Sequence, residues 1–163
     1  MRKLIHAAAA LSLLLGAACQ NAVADDEPQP LTGTWRFTAT GYRTTPHEPA
    51  MTCNQTATYV LRQNHNYVEG YSPPITVTCT GANGTIQVPW QPAVVSGEVE
   101  NGRLSIFTSL LWQCFAELHP TRMEGYMESY SEYVGVGHDP IRAGTCTLEK
   151  ISDEGWDGTF PPS

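Results

Sequence analysis

The sequence predicts an all-β protein, a single antiparallel up-and-down β-barrel of about eight strands with two disulfides. Three observations support this prediction. Apolar and polar residues alternate along most of the chain, and no window shows the periodicity of an amphipathic helix. The 12 prolines and 14 glycines interrupt the alternation roughly every eight to twelve residues. Four cysteines fall on the faces that the alternation directs inward.

The first 24 residues have the features of an export signal. Arg2 and Lys3 give a positive start, and the apolar run over residues 4–18 is too short for a membrane-spanning helix. Ala22 and Ala24 are small residues of the kind that signal peptidase reads, so we expect cleavage after Ala24 and a periplasmic or secreted product. The predicted division of the chain is a signal peptide over residues 1–24, a flexible acidic leader over 25–30 and the barrel domain over 31–163.

A second cleavage site is also present. In "LGAAC", Cys19 follows small residues and resembles the lipid-bearing cysteine of bacterial lipoproteins, although Gly16 stands where that pattern has a large aliphatic residue. Cleavage at this site gives an outer-membrane lipoprotein anchored through Cys19 instead of a released protein. Contact with a membrane is expected only in that case.

The charge of the chain excludes one class of partner. The net charge is −7, and loss of Arg2 and Lys3 with the signal peptide leaves seven basic against sixteen acidic residues, a net charge of −9. Binding of nucleic acid requires a basic surface. We therefore expect no nucleic-acid partner.

Four cysteines remain after removal of the signal peptide, and we expect two disulfides. An even number of cysteines in an exported chain favours disulfides, and none has the close spacing of a zinc site. Sequence alone allows three pairings. If each cysteine bonds to the next one along the chain, the two partners lie on the same face of strands that only one short strand separates. We therefore expect the pairs Cys53 with Cys79 and Cys114 with Cys146.

Glycines define two local features of the predicted sheet. Asn101 and Gly102 form a two-residue turn whose twist matches that of a β-hairpin. A pattern of an apolar residue, a polar residue and glycine also occurs three times, ending at Gly70, Gly97 and Gly125. Glycine inside a strand marks a bend, and a small barrel needs such bends to close.

The segment "LTGTWRF", residues 31–37, resembles the first strand of lipocalins, avidins and related small barrels, and the later strand rhythm resembles bacterial lipocalin-like domains. No ordered set of biotin-contacting residues follows, which departs from the avidins. The resemblance implies that Trp35 closes one end of the barrel. We expect a non-enzymatic binding protein that holds a small apolar or aromatic ligand if the barrel has a cavity. The inward face that would contact the ligand carries Trp35, Tyr59, Leu104 and Trp112.

Binding of a protein is the alternative function. The chain also resembles small-barrel inhibitors of secreted bacterial metalloproteases, which share the glycine-x-tryptophan strand and enter the protease with a flexible N-terminal leader. Residues 25–30 would take that role, although they lack the serine-rich start of those inhibitors and the second cysteine pair is additional. A filled barrel interior favours this alternative, in which a secreted or envelope protein such as a protease is the partner.

Motifs for catalysis are not found. The sequence has no nucleophile elbow, metalloprotease helix, phosphate loop or dinucleotide motif, so we expect no enzyme, no cofactor and no bound metal. His47, His119 and His138 stand in predicted loops and would form a site only if the fold brought them together. Glutamate and tyrosine alternate from Glu124 to Glu132, which predicts either a polar aromatic contact surface or a solvated outer face.

Overall fold

The computed structural model describes residues 30–43, 51–109, 112–129 and 142–160. Every regular element in these ranges is a β-strand, and the described part of the chain contains no helix long and apolar enough to cross a membrane. The strands are β1 (Gly33–Arg43), β2 (Thr52–Asn64), β3 (Tyr67–Ser72), β4 (Ile75–Gly81), β5 (Gly84–Trp90), β6 (Ala93–Glu100), β7 (Arg103–Ser109), β8 (Trp112–Glu117), β9 (Arg122–Ser129) and β10 (Arg142–Ser152).

Eight of these strands close into a ring. The order around the ring is β1, β10, β9, β8, β7, β6, β3 and β2, and β2 returns to pair with β1. All neighbouring pairs are antiparallel. Because β1 pairs on both sides, the ring has no free edge. The predicted fold class is confirmed: the protein is a closed antiparallel eight-stranded β-barrel, compatible with a lipocalin-like barrel.

The remaining two strands form a hairpin outside the ring. We call the end of the barrel where β1 ends and β2 begins the upper end, and the opposite end the lower end. The upper part of β2 pairs with β4, and the lower part pairs with β3. The hairpin of β4 and β5, residues 75–90, therefore extends the barrel wall at the upper end.

Large apolar side chains fill the lower half of the barrel. Trp35, Leu61 and Leu104 have no accessible surface, and the same is true of Leu31, which precedes β1. The indole Nε1 of Trp35 donates a hydrogen bond to the carbonyl oxygen of Leu31 at 2.9 Å. Full burial of a leucine side chain stabilises the fold by roughly 1.5–3 kcal/mol. Trp35 and Leu31 thus close the lower end of the barrel.

The three glycines of the sequence pattern lie where the backbone of a neighbouring strand approaches closely. A Cβ atom at Gly125 would lie 1.8 Å from the carbonyl oxygen of Phe115, and one at Gly70 would lie 2.0 Å from that of Val60. At Gly97 the corresponding distance is 2.5 Å. No side chain fits at these distances, so only glycine permits this approach of the backbones. This geometry supports the role of the pattern in barrel closure.

Both predicted disulfides are present. Cys53 on β2 lies opposite Cys79 on β4, and their Cα atoms are 4.0 Å apart. Cys114 on β8 and Cys146 on β10 have Cα atoms 6.1 Å apart, and their bridge passes β9, where Gly125 lies opposite Cys146. The predicted pairing is confirmed. Two disulfides indicate folding in an oxidising, extracytoplasmic environment.

A bulge changes the facing of residues at the end of β1. The register between β1 and β2 shifts between Ala39 and Tyr42, and Gly41 within the bulge has a φ of 72°. The extra residue turns Tyr42 inward, where its side chain is buried. Strict alternation would have placed Tyr42 on the outer face.

Candidate functional site

All four residues of the predicted ligand-contacting face point into the barrel. Trp35 and Leu104 have no accessible surface, while Tyr59 is 1% exposed and Trp112 is 4% exposed. A side chain without accessible surface adjoins neither solvent nor an internal space that holds a water molecule. Trp35 and Leu104 therefore belong to the packed lower half. Trp112 begins β8 at the upper end, whereas Tyr59 lies opposite Trp35 on β1 with its side chain near those of Tyr42 and Gln55.

Three buried side chains with polar groups lie near one another in the barrel, and we call them the lumen cluster: Tyr42, Gln55 and Tyr59. Tyr42 comes from the end of β1, and the other two come from β2. The hydroxyl of Tyr42 donates a hydrogen bond to Oε1 of Gln55 at 2.8 Å. The cluster therefore places one amide and two phenols in the interior.

Aromatic rings surround the lumen cluster. The ring of Tyr59 stacks on that of Phe37, with centroids 4.8 Å apart and planes inclined by 16°. The ring of Tyr42 meets Trp112 edge to face, with centroids 5.5 Å apart. An apolar enclosure of this kind has a low dielectric constant, so a polar group without a partner is costly there.

Two atoms of the lumen cluster have no hydrogen-bond partner among the described residues: Nε2 of Gln55 and the hydroxyl of Tyr59. Gln63, the other buried glutamine of β2, provides a contrast. Its Oε1 accepts from the backbone N–H of Leu31 at 3.2 Å, and its Nε2 donates to the carbonyl of His65 at 2.7 Å. A buried polar atom without a partner costs about 1–3 kcal/mol. Folded proteins contain few such atoms, and each one requires an explanation, such as local strain or a bound water, ion or other molecule.

Burial raises the pKa of both phenols in the cluster. The pKa of Tyr42 rises to about 12 for this reason. Burial also raises the pKa of Tyr59, and the neighbouring Tyr42 raises it further. The amide of Gln55 lies close enough to the hydroxyl of Tyr59 to lower its pKa in part, although the two groups do not reach the geometry of a full hydrogen bond. Both phenols are therefore neutral hydroxyl groups at physiological pH and can donate a hydrogen bond.

We expect the free energy of unfolding to fall as the pH rises above about 10, because the folded protein retains protons that the unfolded chain releases. The pKa of Tyr42 is 10.0 in the unfolded chain and about 12 in the barrel, and that of Tyr59 is also raised. The stabilisation that these two tyrosines contribute is fully present below the pKa of tyrosine in the unfolded chain. It is lost as the pH rises through the higher pKa values of the folded protein. Urea unfolding from about pH 9 to about pH 12 measures this loss. A variant with both residues changed to Phe is the control, and an equal loss in the variant would contradict the assignment.

The other predicted site residues are not brought together. His119 is exposed, and its Nδ1 lies 3.5 Å from the backbone nitrogen of Thr121. The described residues contain no group of three or more His, Cys, Asp or Glu side chains that could hold a metal ion. Several predictions fall outside the described residues: those for Cys19, His47, His138 and residues 25–29 of the leader.

The described part of the glutamate and tyrosine strip lies on the outer face of β9. The ring of Tyr126 stacks on Phe115 with centroids 5.5 Å apart, and the guanidinium carbon of Arg142 lies 3.4 Å from its centroid. Glu124 forms an ion pair with Arg122 at 2.7 Å. Contacts within the protein therefore occupy the Tyr126 and Glu124 side chains of the strip. Glu132 lies outside the described residues.

The C-terminal segment, residues 153–160, returns along the outside of the barrel, which the sequence did not predict. The backbone N–H of Trp156 donates to the carbonyl of Leu61 at 3.2 Å, and its indole N–H donates to the carbonyl of Thr159 at 2.7 Å. A groove of about 410 Å³ lies between this segment and strands β1 to β3, and we call it the outer groove. Tyr71 lines it, and Phe160, whose ring contacts that of Tyr71, is 53% exposed.

Sequence reasoning missed two members of the lumen cluster for different reasons. Gln55 alternates in phase with the inward residues Cys53, Ala57 and Tyr59, so the sequence pattern could have identified it as a polar residue on a buried face. Tyr42 was hidden by the bulge in β1. The signal for that bulge was Gly41, because glycine within a strand pattern marks an irregularity.

Fold and site together define a small, twice disulfide-bonded, eight-stranded barrel with a polar cluster in an aromatic interior. Comparison of the sequence with protein-family models and with curated proteins finds no match.

Proposed function

We propose that this protein is an exported, non-enzymatic binding protein that holds a small ligand in the upper half of its barrel. The observation that carries the proposal is the pair of buried polar atoms without partners, Nε2 of Gln55 and the hydroxyl of Tyr59. Both atoms have almost no accessible surface in the ligand-free barrel, so a ligand reaches them only when the neighbouring rings move apart. A ligand that then satisfies both atoms offsets their desolvation cost. Ligand sites commonly combine an apolar lining with a few converging polar groups.

The chemistry of the lumen cluster restricts the ligand. Nε2 of Gln55 is only a donor, so the ligand carries an acceptor such as a carbonyl or ether oxygen. The rings of Phe37, Tyr42 and Trp112 favour an aromatic or apolar body. The cluster contains no charged side chain, and burial of an unpaired ionic group would be costly. A neutral, largely apolar molecule with one or two oxygen atoms is the best fit.

Tyr59→Phe tests this proposal. We expect the variant to bind a neutral, carbonyl-bearing naphthalene dye about five- to tenfold more weakly, which corresponds to the loss of one hydrogen bond. The ligand-free variant should be at least as stable as the parent, because the change removes an unpaired buried hydroxyl. Dye fluorescence titration and urea unfolding measure the two effects.

Tyr42→Phe is the matched control. It also removes one buried phenol oxygen, but that oxygen donates to Gln55 in the ligand-free protein. We therefore expect a loss of about 1 kcal/mol in the free energy of unfolding. Equal dye affinity in the parent and in Tyr59→Phe would exclude the lumen cluster as the binding site.

We propose that cleavage after Ala24 releases the protein, rather than that cleavage before Cys19 leaves it anchored to a membrane by a lipid. The small residues Ala22 and Ala24 support this cut, and Gly16 weakens the lipoprotein alternative. The intact mass of the protein from its native host separates the two. A chain that begins at Asp25 means a released periplasmic or secreted protein, whereas an acylated chain that begins at Cys19 means an outer-membrane lipoprotein.

A secreted or envelope protein as partner is the second candidate. The packed lower half of the barrel favours it, since a binding surface is then expected on the outside. The leader joins the barrel at Leu31, and the side chain of the neighbouring Thr32 occupies the space where a side chain at Gly155, in the wall of the outer groove, would lie. Deletion of residues 25–30 should abolish inhibition of a secreted protease while the fold is retained. Unchanged inhibition by the deletion variant would exclude a role for the leader.

A further inference from the structure

The hairpin of β4 and β5 carries no charge. From Gly70 to Gly97 the chain contains no Asp, Glu, Lys, Arg or His, although the whole chain has 25 residues of the first four types. Natural edge strands are usually protected from pairing by charged side chains, especially lysine. Proline also protects edge strands, and Pro89 is the one residue of β5 that could do so.

β5 has one free edge within the described part of the chain. It pairs with β4 on one side, and no described strand lies on its other side. Its side chains are mostly exposed, and Ile86 is 50% exposed at its centre. A long, exposed, uncharged edge is a template for pairing with another strand.

The register of the hairpin identifies the backbone groups on the free edge. The Cα atoms of Cys53 and Cys79 are 4.0 Å apart, which is typical of a non-hydrogen-bonded antiparallel pair. Cys79 therefore directs its N–H and C=O towards Ile86 on β5. It follows that Thr85 and Gln87 direct their backbone groups to the free edge. Pro89 has the same parity, so its missing N–H does not interrupt the pairing with β4.

We propose that two copies of this protein associate through antiparallel pairing of their β5 edges, centred on Ile86. In this register Thr85 lies opposite Gln87 of the partner subunit, and Gln87 lies opposite Thr85 of the partner subunit. Each pair exchanges two hydrogen bonds, so all four available N–H donors are used. Centring on Gln87 would instead place Pro89 opposite Thr85 of the partner subunit, and the carbonyl oxygen of each Thr85 would face a proline that has no N–H to donate.

The charge distribution favours a second copy as the occupant of this edge. Two copies with a net charge of −7 each repel one another over most of their surface. The uncharged hairpin contributes no charge of its own to this repulsion. A two-fold axis at Ile86 also places two half-exposed isoleucine side chains opposite each other, which buries apolar surface on both copies.

Sedimentation of the chain with both disulfides formed tests the proposal. We expect twice the mass of one chain at about 100 µM, where an interface of micromolar affinity is saturated. Ile86→Lys places like charges opposite each other and should weaken dimerisation at least about tenfold. Ile151→Lys is the matched control, because Ile151 is a similarly exposed isoleucine on β10, at 51%. It should leave the dimer unchanged.

Gln87→Pro provides a second variant that leaves the packing of the hairpin in place. It removes an outward N–H that β4 does not use, and it should also produce monomers. Hydrogen exchange should show protection of the Thr85 and Gln87 amides in the parent and loss of that protection in Ile86→Lys. A monomeric parent, or a dimer that survives both Ile86→Lys and Gln87→Pro, would overturn the proposal.

Discussion

Gly125→Ala is expected to lower the free energy of unfolding by at least about 4 kcal/mol, a large part of the total for a domain of this size. The added Cβ would lie 1.8 Å from the carbonyl oxygen of Phe115 and 2.7 Å from the Cα of Ala116. Both contacts are with the backbone of β8, which is held on its other side by β7. The backbone must therefore move, and the pairing of β8 with β9 is lost or distorted.

Gly81→Ala is the matched control for this substitution. Gly81 is also a strand glycine, at the end of β4, but the nearest atom to its added Cβ is the side-chain Cγ of Met51 at 3.1 Å. A flexible methionine side chain can move away at low cost. Urea unfolding of both variants at neutral pH measures the difference. Losses within about 1 kcal/mol of each other would refute the close approach at Gly125.

Loss of the Cys114–Cys146 bridge is expected to destabilise the whole barrel. The two disulfides close loops of similar length, with sequence separations of 32 and 26, so loop entropy alone predicts about 3.5 kcal/mol for each. Their positions differ. Cys114 and Cys146 are buried on strands of the ring, and their bridge passes over β9. The other bridge joins β2 to the hairpin outside the ring.

Two double variants separate these roles. With Cys114 and Cys146 changed to Ala, we expect the free energy of unfolding to fall by about 3–5 kcal/mol. With Cys53 and Cys79 changed to Ala, we expect local opening of the hairpin and faster hydrogen exchange of its amides, while the barrel unfolds in a separate transition. Replacing both cysteines of a pair leaves no free thiol to form a wrong bridge. A larger global loss for the second variant than for the first would contradict the assigned roles.

The sequence predicted those features that depend on regular alternation. Side chains in a strand alternate between two faces, so the inward positions of Trp35, Tyr59, Leu104 and Trp112 followed from counting along each strand. The cysteine pairing was also predicted correctly, but its premise that one strand separates each pair holds only for Cys114 and Cys146, because Cys53 and Cys79 lie directly opposite each other on neighbouring strands. The Asn101 and Gly102 turn was also predictable, and both residues have positive φ in the structure, 51° and 77°.

Features that depend on a break in alternation could not be predicted in this way. The bulge at Gly41 turns Tyr42 to the inside of the barrel, and a count of alternating residues does not include the extra residue of a bulge. The departure of the β4 and β5 hairpin from the ring depends on how β2 divides its pairing between two strands. The partners of Gln55 and Tyr59 depend on atomic distances that no sequence pattern specifies. The site was therefore predicted only in part, through Tyr59 and Trp112.

A high-resolution crystal structure of the protein purified from its native host tests the central proposal most directly. The proposal predicts electron density for a non-protein molecule within hydrogen-bond distance of Nε2 of Gln55 and of the hydroxyl of Tyr59. The density should extend against the rings of Phe37 and Trp112. If protein groups alone, or a single water molecule, satisfied these two atoms, the barrel would have no ligand site in its upper half and the proposal would be contradicted.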